Sequence, residues 1–461
     1  MGNHPANVQT KRIVVIGGGA SGVLLTAHLL RDPSPDLRVT MIEKRENVGL
    51  GLAYGTANPN HLLNVRAANM SAFADEPNHF WNWLVAHGEA ETTSCSDPFC
   101  FVPRRVYGRY LGSLIERHLA NPSRPGRLNV VHGEVVAIAD RQSGIAVTLA
   151  DGSTHVGHKA VLATGHDVFT VLPQSCSADP WNESLFAGLD RDGAIVIVGT
   201  GLTMVDCVLS LLDNGHRGPI YALSRRGLLP RVHRHTEPVR LDAADVPLGT
   251  ELAYLWRWFR GFVRWHVERG GDWRGAVDGV RPYTQLIWQN LPLDAKRRFL
   301  VHARAWWDVH RHRMAPEVDS RLRAAIGRGQ LQVIAAKIAH IAPNDTGALV
   351  QFHRRGEPVA ETLQAARVIE CTGIVTDPLA TPNPLLRDLF AKGLCRPDPL
   401  GIGLDVTDEC AVIDAKGRPS PRIFAAGPLT RAAFWEIVAV PDIRLQCADL
   451  ARRLTRSELA A

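Results

Sequence analysis

Two short runs of unbroken apolar residues organise the chain, Ile13-Val14-Val15-Ile16 and Ile195-Val196-Ile197-Val198. Each stops at a glycine-rich turn, Gly17, Gly19 and Gly22 in the first and Gly199 and Gly201 in the second. An apolar run of four, bounded by turn residues, predicts a strand buried on both faces. Beyond the first turn, Val23, Leu24, Ala27, Leu29 and Leu30 recur at helical spacing. Well downstream of each start, alternation with period two predicts a β-meander and a closing strand. The first copy has apolar segments at 130–131, 135–139 and 145–149, a turn at Asp151-Gly152, and the run Val161-Leu162-Ala163-Thr164-Gly165. The second has 333–334, 338–341 and 348–352, a turn near Gly356, and Val368-Ile369-Glu370-Cys371-Thr372-Gly373. A repeated strand–turn–helix, meander and Thr-Gly strand is far more specific than either glycine turn alone.

This repeat predicts an α/β protein with two Rossmann-like dinucleotide-binding domains, the first discontinuous. Residues 1–180 form its first part and 374–461 its second, around a second domain at 181–373. The second domain carries a helical insertion at about 231–326, rich in tryptophan: Trp256, Trp258, Trp265, Trp273, Trp288, Trp306 and Trp307. Three readings of it stand side by side. The tryptophans form the core of a helical lid, or some of them wall a substrate pocket, or the stretch 252–267 is a helix that lies on a membrane surface.

The residue ending the second strand of each copy distinguishes the two turns. Val39 to Ile42 runs into Glu43, and an acid there accepts hydrogen bonds from a ribose 2′-hydroxyl. Ile220 to Leu223 runs into Ser224-Arg225-Arg226, and arginines there suit a 2′-phosphate. FAD is therefore expected at the first turn and NADPH at the second. Gly17 makes the tight turn, Gly19 lets backbone approach pyrophosphate, and Gly22 lets helix pack on strand. Ala20 and Ser21 open the helix whose free amides and dipole face the pyrophosphate, and Lys44 follows the acid. At the second turn Met204 stands where the third small residue belongs, so a purely structural βα turn is the alternative there. Thr164 and Gly165 end the first closing strand beside the cofactor. Near the C-terminus, Arg422 to Pro428 reads as a last strand and tight turn, and residues 435–443 lead into a final helix at 444–453. In flavoproteins of this plan that helix start, here Pro441, Asp442 and Ile443, faces the flavin pyrimidine, with Gly427 before it. Pro428 replaces the Asp common after that glycine.

Composition adds limits. The formal charge of +6 arises with no basic run or nucleic-acid motif, and an anionic cofactor or substrate accounts for it. The first ten residues lack an apolar signal core and no stretch has the length of a membrane span. The cytoplasm is the expected compartment, without nucleic-acid or membrane partners. Cys95 and Cys100 have the C-x4-C spacing of a redox disulfide, but they lie far from the first βαβ unit in a Ser/Asp/Pro loop. His310 and His312, with His233 and His235, are not joined by a Cys or carboxylate ligand set, and no metal is expected.

Several segments together resemble one group of FAD/NAD(P)-binding oxidoreductases. They are Gly17 to Gly22; Gly51-Leu52-Ala53-Tyr54-Gly55-Thr56 with His61-Leu62-Leu63-Asn64-Val65; and Phe101-Val102-Pro103-Arg104-Arg105 with Tyr107-Gly108. Trp306-Trp307-Asp308-Val309-His310-Arg311-His312-Arg313 and Val440-Pro441-Asp442-Ile443-Arg444 complete the set, which spans almost the whole chain. The family's characterised relatives look like single-component hydroxylases, including amino-acid N-hydroxylases and a urate hydroxylase. The resemblance implies flavin contacts at Asn64, Val65, Arg105 and Val136. Arg104 and Tyr107 are further candidates for cofactor or substrate, or simply the start of a surface helix. It also implies NADPH, dioxygen and an amino or nitrogen-rich small substrate. A flavin reductase passing electrons to a protein partner is the alternative.

Overall fold

The computed structural model describes residues 10–121, 123–165, 177–178, 180, 186, 188–372 and 378–456. Gly373 and the expected domain limits at 181 and 374 lie outside them. The chain divides into two compact units: Met1–Ala57, Arg66–Asp167 and Val375–Ala461 form unit 1, and Asn58–Val65 with Val168–Ile374 form unit 2.

Unit 1 opens with β1 (Lys11–Ile16), α1 (Ala20–Leu30) and β2 (Leu37–Glu43), followed by α2 (His79–Ala86), α3 (Glu89–Thr92) and α4 (Arg104–Leu119). Next come β3 (Leu128–His132), a meander of β4 (Val135–Arg141), β5 (Gly144–Leu149) and β6 (Thr154–Gly157), and then β7 (Lys159–Leu162). Unit 2 contains β8 (Ser177–Ala178), β9 (Ile195–Val198), α5 (Leu202–Asp213) and β10 (Ile220–Ser224). The inserted helices are α6 (Leu252–Glu268), α7 (Trp273–Val280), α8 (Thr284–Asn290), α9 (Leu293–Arg298) and α10 (Arg304–Arg311). After α11 (Pro316–Gly327) come β11 (Leu331–Asn344), β12 (Gly347–Arg354), β13 (Ala360–Ala365) and β14 (Arg367–Glu370). The chain then returns to unit 1 with α12 (Pro384–Ala391), β15 (Ala411–Ile413), β16 (Pro419–Ala425) and α13 (Val440–Thr455).

The sheet of unit 1 has the order β15-β16-β7-β1-β2-β3, parallel throughout except for β15. Parallel strands are covered on both faces, which is why β1 is continuously apolar. Val14 and Ile16 join Ile138, Ile145 and Val147 of the meander and Leu389 of α12 in one core. Side chains alternate across a strand, so Val15 faces the other way, toward α1.

In unit 2 the order is β13-β12-β11-β10-β9-β14-β8. The long strand β11 pairs parallel with β10 over its first residues and antiparallel with β12 over the rest, with an irregularity between Ile338 and His340. Strand and meander are therefore continuous here, whereas unit 1 splits them into β3 and β4. The third meander strands, β6 and β13, were not legible as apolar runs. They alternate exposed and intermediate residues, Ala360–Ala365 most clearly, with polar side chains such as Thr154, Thr362 and Gln364 turned outward, which suits an edge strand. The final helix also starts earlier than expected, at Val440, because Pro441 in the first turn needs no N–H donor there.

The insertion has its own aromatic core. Trp256 stacks on Phe299 with centroids 6.4 Å apart, Phe259 meets Trp307 at 5.7 Å, and Trp288 meets Phe299 at 5.9 Å. The guanidinium groups of Arg274 and Arg313 both lie over the Trp273 ring, at 4.4 and 5.2 Å. Arg313 is only 2% exposed and forks onto Asp278 through two bonds of 2.9 Å. Trp265 and Trp306 stay outside this core, 45% and 44% exposed. Among the described residues, no helix is long and apolar enough to cross a membrane.

Candidate dinucleotide sites

The first glycine turn is built by close backbone approach. Gly17 has φ +107°, and a Cβ there would sit 2.4 Å from the Ala163 carbonyl oxygen. A Cβ on Gly22 would lie 1.8 Å from the Gly17 oxygen, so the first turn of α1 can rest on the strand only with glycine at that position. Gly19 is different. Nothing of the protein comes closer to its missing Cβ than Gly51 Cα at 3.6 Å, so the protein itself leaves that face of the turn open. No side chain caps α1, and no acid lies in its first turn, which leaves its amides and positive dipole end suited to an anion.

Around this turn the structure assembles most of the residues expected there. Glu43 is buried; its Oε2 accepts from the Gly18 amide at 2.5 Å and its Oε1 from the Arg45 amide at 2.9 Å. A carboxylate has about four acceptor positions, so capacity remains for ribose hydroxyls. Thr164 borders Gly17, and Gly165 follows with φ +74°. Gly427 packs against Ser21, whose Oγ would be 2.1 Å from a Cβ at that glycine. Its amide donates to Gln446 Oε1 of α13 at 2.7 Å. The start of α13, with Pro441, Asp442 and Ile443, is thereby tied to the start of α1. Lys44 is exposed and pairs with Glu134 at 3.2 Å, Arg105 is exposed in the first turn of α4, and Val136 is half-buried in β4.

The glycine-rich loop between β2 and α2 completes the cradle. Gly51 lies on Gly19, the Gly49 amide donates to the Gly18 oxygen at 2.8 Å, and Gly108 of α4 packs under Leu50 and Tyr54. Tyr107 is fully buried beside Tyr54, with ring centroids 4.8 Å apart. Its hydroxyl has no hydrogen-bond partner among the described residues. Burial pushes this phenol well above its ordinary range. A buried, neutral O–H without an acceptor is costly, and a ligand or water accepting from it removes that cost. The open face at Gly19 and the orphan hydroxyl of Tyr107 both fit a bound dinucleotide.

The second turn repeats the first with different side chains. Gly199 has φ +115°, and a Cβ there would be 2.2 Å from the Cys371 oxygen. The Gly199 amide donates to the Leu223 oxygen at 2.7 Å, as the Gly17 amide does to Ile42 at 2.8 Å. Gly201 has no atom within 4 Å of its missing Cβ, and α5 begins without a cap or an acid. Ser224 stands where β2 has Glu43, and its Oγ lies 2.9 Å from Thr200 Oγ1 in the turn. The carboxylate that would repel a 2′-phosphate is thus replaced by a hydroxyl. Arg225 is exposed, while Arg226 donates to the carbonyls of Val301 and His302 at 3.3 and 3.0 Å.

Asn64 and Val65 belong to unit 2. The segment Asn58–Val65 is pinned along α5: His61 Nε2 lies 2.8 Å from Ser210 Oγ, and Asn58 and Asn60 both donate to Asp213. The Asn64 carbonyl accepts from His233 at 2.9 Å. The cluster of Asn58, Asn60, His61 and Asn64 was the available signal for this attachment. His310 Nδ1 lies 2.7 Å from the Trp306 carbonyl. Cys95 and Cys100 form a disulfide with Cα atoms 5.5 Å apart, in the loop between α3 and α4.

Comparison with known proteins agrees with this geometry. Residues 14–167 match the family model for FAD-NAD(P)-binding proteins. No curated protein sequence matches the chain. Among solved structures, the chain is similar to the ornithine N-hydroxylase of Kutzneria sp. 744, solved with reduced FAD, NADP+ and L-ornithine. The identity is 16% and the TM-score 0.68, over 96% of this chain and 99% of that one. It is similar to the L-lysine 6-monooxygenase of Pseudomonas syringae, at 14% identity and TM-score 0.64, over 96% and 98%. Thioredoxin reductase of Lactococcus lactis follows at 12% and 0.52, over 96% and 98%. Residues 14–167 thus match the FAD-NAD(P)-binding family model, and the whole chain shares the fold of the ornithine N-hydroxylase and the L-lysine 6-monooxygenase.

Proposed function

We propose that the chain is an FAD-dependent, NADPH-using single-component monooxygenase that hydroxylates an amino or nitrogen-rich polar small molecule, such as an amino acid or urate. The observation that carries this reading is the contrast between the two turns, a buried Glu43 at one and Ser224 with Arg225 at the other. It suits two different dinucleotides, one with a free ribose and one with a phosphate. The ornithine N-hydroxylase and the L-lysine 6-monooxygenase of matching fold support the amino substrate class.

Bound FAD would supply the dioxygen chemistry, and bound NADPH the hydride. The chain's own residues bind, orient and shield. Gly17, Gly19 and Gly22 with the amides of Ala20 and Ser21 would hold one pyrophosphate, Glu43 its ribose, and Gly427 with the start of α13 the far end of the flavin. Gly199, Gly201 and Arg225 would hold the second nucleotide. The insertion folds on an aromatic core in which Trp307 is 9% exposed, and exclusion of water suits the oxygen chemistry that bound FAD would supply. The Cys95–Cys100 disulfide takes no part in this reaction and serves as a loop staple.

The test is direct. Purified protein should hold FAD, oxidise NADPH with uptake of dioxygen, and release less hydrogen peroxide when the right amine or purine is added. Mass spectrometry should then find a product one oxygen heavier. Protein unable to take up FAD, or electrons passing only to an added acceptor protein with no oxygenated product across the panel, would overturn the reading.

A further inference from the structure

Helix α6 carries a surface that the proposed reaction does not use. Tyr254, Trp258, Phe262 and Trp265 recur at steps of four, four and three residues, so they form one stripe along the helix. Their rings stack in sequence, Trp258 on Phe262 at 5.8 Å and Phe262 on Trp265 at 6.1 Å. Tyr254 is 51% and Trp265 45% exposed, and Trp258 and Phe262 between them are half-buried. The core-facing side of the same helix is a different set, Trp256 and Phe259, which meet Phe299 and Trp307. The aromatic row is therefore separate from the Phe299–Trp307 core and open to solvent along one edge.

A third face of the helix is cationic. Arg257, Arg260 and Arg264 are all exposed, and Arg269 lies over the Trp265 ring at 4.8 Å. The charge is not local to this helix alone. Residues 231–326 hold 17 Lys and Arg against 11 Asp and Glu, a surplus of six, and the whole chain's surplus is also six. The insertion thus carries the entire net positive charge of the protein. Two such surfaces repel each other, which disfavours a second copy as the occupant. Nucleic acid is usually taken up in a basic groove, whereas this row lies along the outer side of a helix, 45–51% exposed at both ends. A contiguous aromatic row flanked by arginines on one helix is the pattern that seats at a headgroup boundary.

We propose that α6 is a docking surface for an anionic lipid bilayer. The helix would lie in the plane of the interface, its aromatic row at the acyl boundary and its arginines on lipid phosphates. The attachment would be peripheral, since no described helix is fit to cross the membrane.

The test uses the full chain and vesicles of phosphatidylcholine with or without phosphatidylglycerol. Co-sedimentation should be strong only with the anionic vesicles, and should fall away in 1 M salt, where the Debye length is about 3 Å. Arg257→Gln and Arg264→Gln should each weaken partitioning about fivefold, and the pair Trp258→Ser/Trp265→Ser about tenfold or more. Circular dichroism melts establish that each variant is folded, and the salt dependence of the unaltered protein needs no variant. The proposal is overturned by an absence of binding to anionic vesicles at low salt. It is equally overturned by equal binding to both vesicle types, by variants that bind like the parent, by tighter binding to single-stranded DNA, or by a dimer that Trp265→Ser dissolves.

Discussion

Arg225 and Arg226 are adjacent in sequence but are predicted to differ in function. The Arg226 guanidinium already serves two carbonyls, those of Val301 and His302. Arg225 is exposed at the end of β10 and is the residue expected to meet a 2′-phosphate. A charge-assisted hydrogen bond contributes about 1.5–3 kcal/mol, and exposure places Arg225 at the low end of that range. Every 1.4 kcal/mol is about tenfold. Arg225→Ala should therefore lower the NADPH preference about tenfold, with NADH turnover unchanged. Ser224→Glu restores the acid seen at Glu43. A like charge at about 4 Å in water opposes the phosphate by about 1 kcal/mol, a further factor of roughly five. The assay is the ratio of kcat/KM for the two nucleotides from initial rates at low salt. Arg226→Ala should move both nucleotides together, through the loosened 301–302 turn. Equal use of NADPH and NADH by the unaltered protein would refute the reasoning, as would a preference lost with Arg226 and kept without Arg225.

Three further outcomes are expected. Burial lowers the His28 imidazole to about 4 from 6.5, so the unfolded chain binds the extra proton first and stability falls as pH drops from 6.5 toward 4. At 1.36 kcal/mol per pH unit this amounts to about 3 kcal/mol, and urea melts of His28→Asn should show a flatter slope across that window. Cys95→Ser/Cys100→Ser should keep NADPH oxidation within about threefold and cost about 2 kcal/mol of stability, the loop-entropy value for so short a loop; a collapse of turnover with FAD retained would assign the pair a redox role. Trp307→Ala should raise the fraction of electrons released as peroxide more than it slows flavin reduction, at about 3 kcal/mol of stability; equal loss of both rates would mark Trp307 as structural only.

The two glycine turns were legible because most of their physics is local. Strand, turn, helix and the residue ending the next strand lie within about 30 residues, and the clash of a Gly22 Cβ with the Gly17 carbonyl follows from that short stretch, whereas the clash at Gly17 is with the distant Ala163. What escaped depends on partners distant in sequence. Nothing near Arg226 announces Val301 and His302, and nothing near Arg313 announces Asp278. The attachment of Asn58–Val65 to α5 was written in polar residues that make equal sense in any surface loop. Tyr107 was singled out, but the state of its hydroxyl depends on burial between Tyr54, Phe80 and Tyr110. Strands β6 and β13 were missed because edge strands lack the apolar run that gives a buried strand away.

Gly22 and Met204 occupy corresponding places in the two turns. Glycine lets α1 settle onto its strand, whereas at the second turn the fully buried side chain of Met204 takes that place. In the proposed enzyme the two nucleotides have different lifetimes on the protein: one stays through many cycles as a prosthetic group, and the other arrives and leaves each time as a cosubstrate. The third position of the glycine motif is thus the place where the two turns differ in what lies under the helix start, and Met204→Gly should slow NADP+ release in a stopped-flow displacement measurement; an unchanged off-rate would show that this position does not govern exchange.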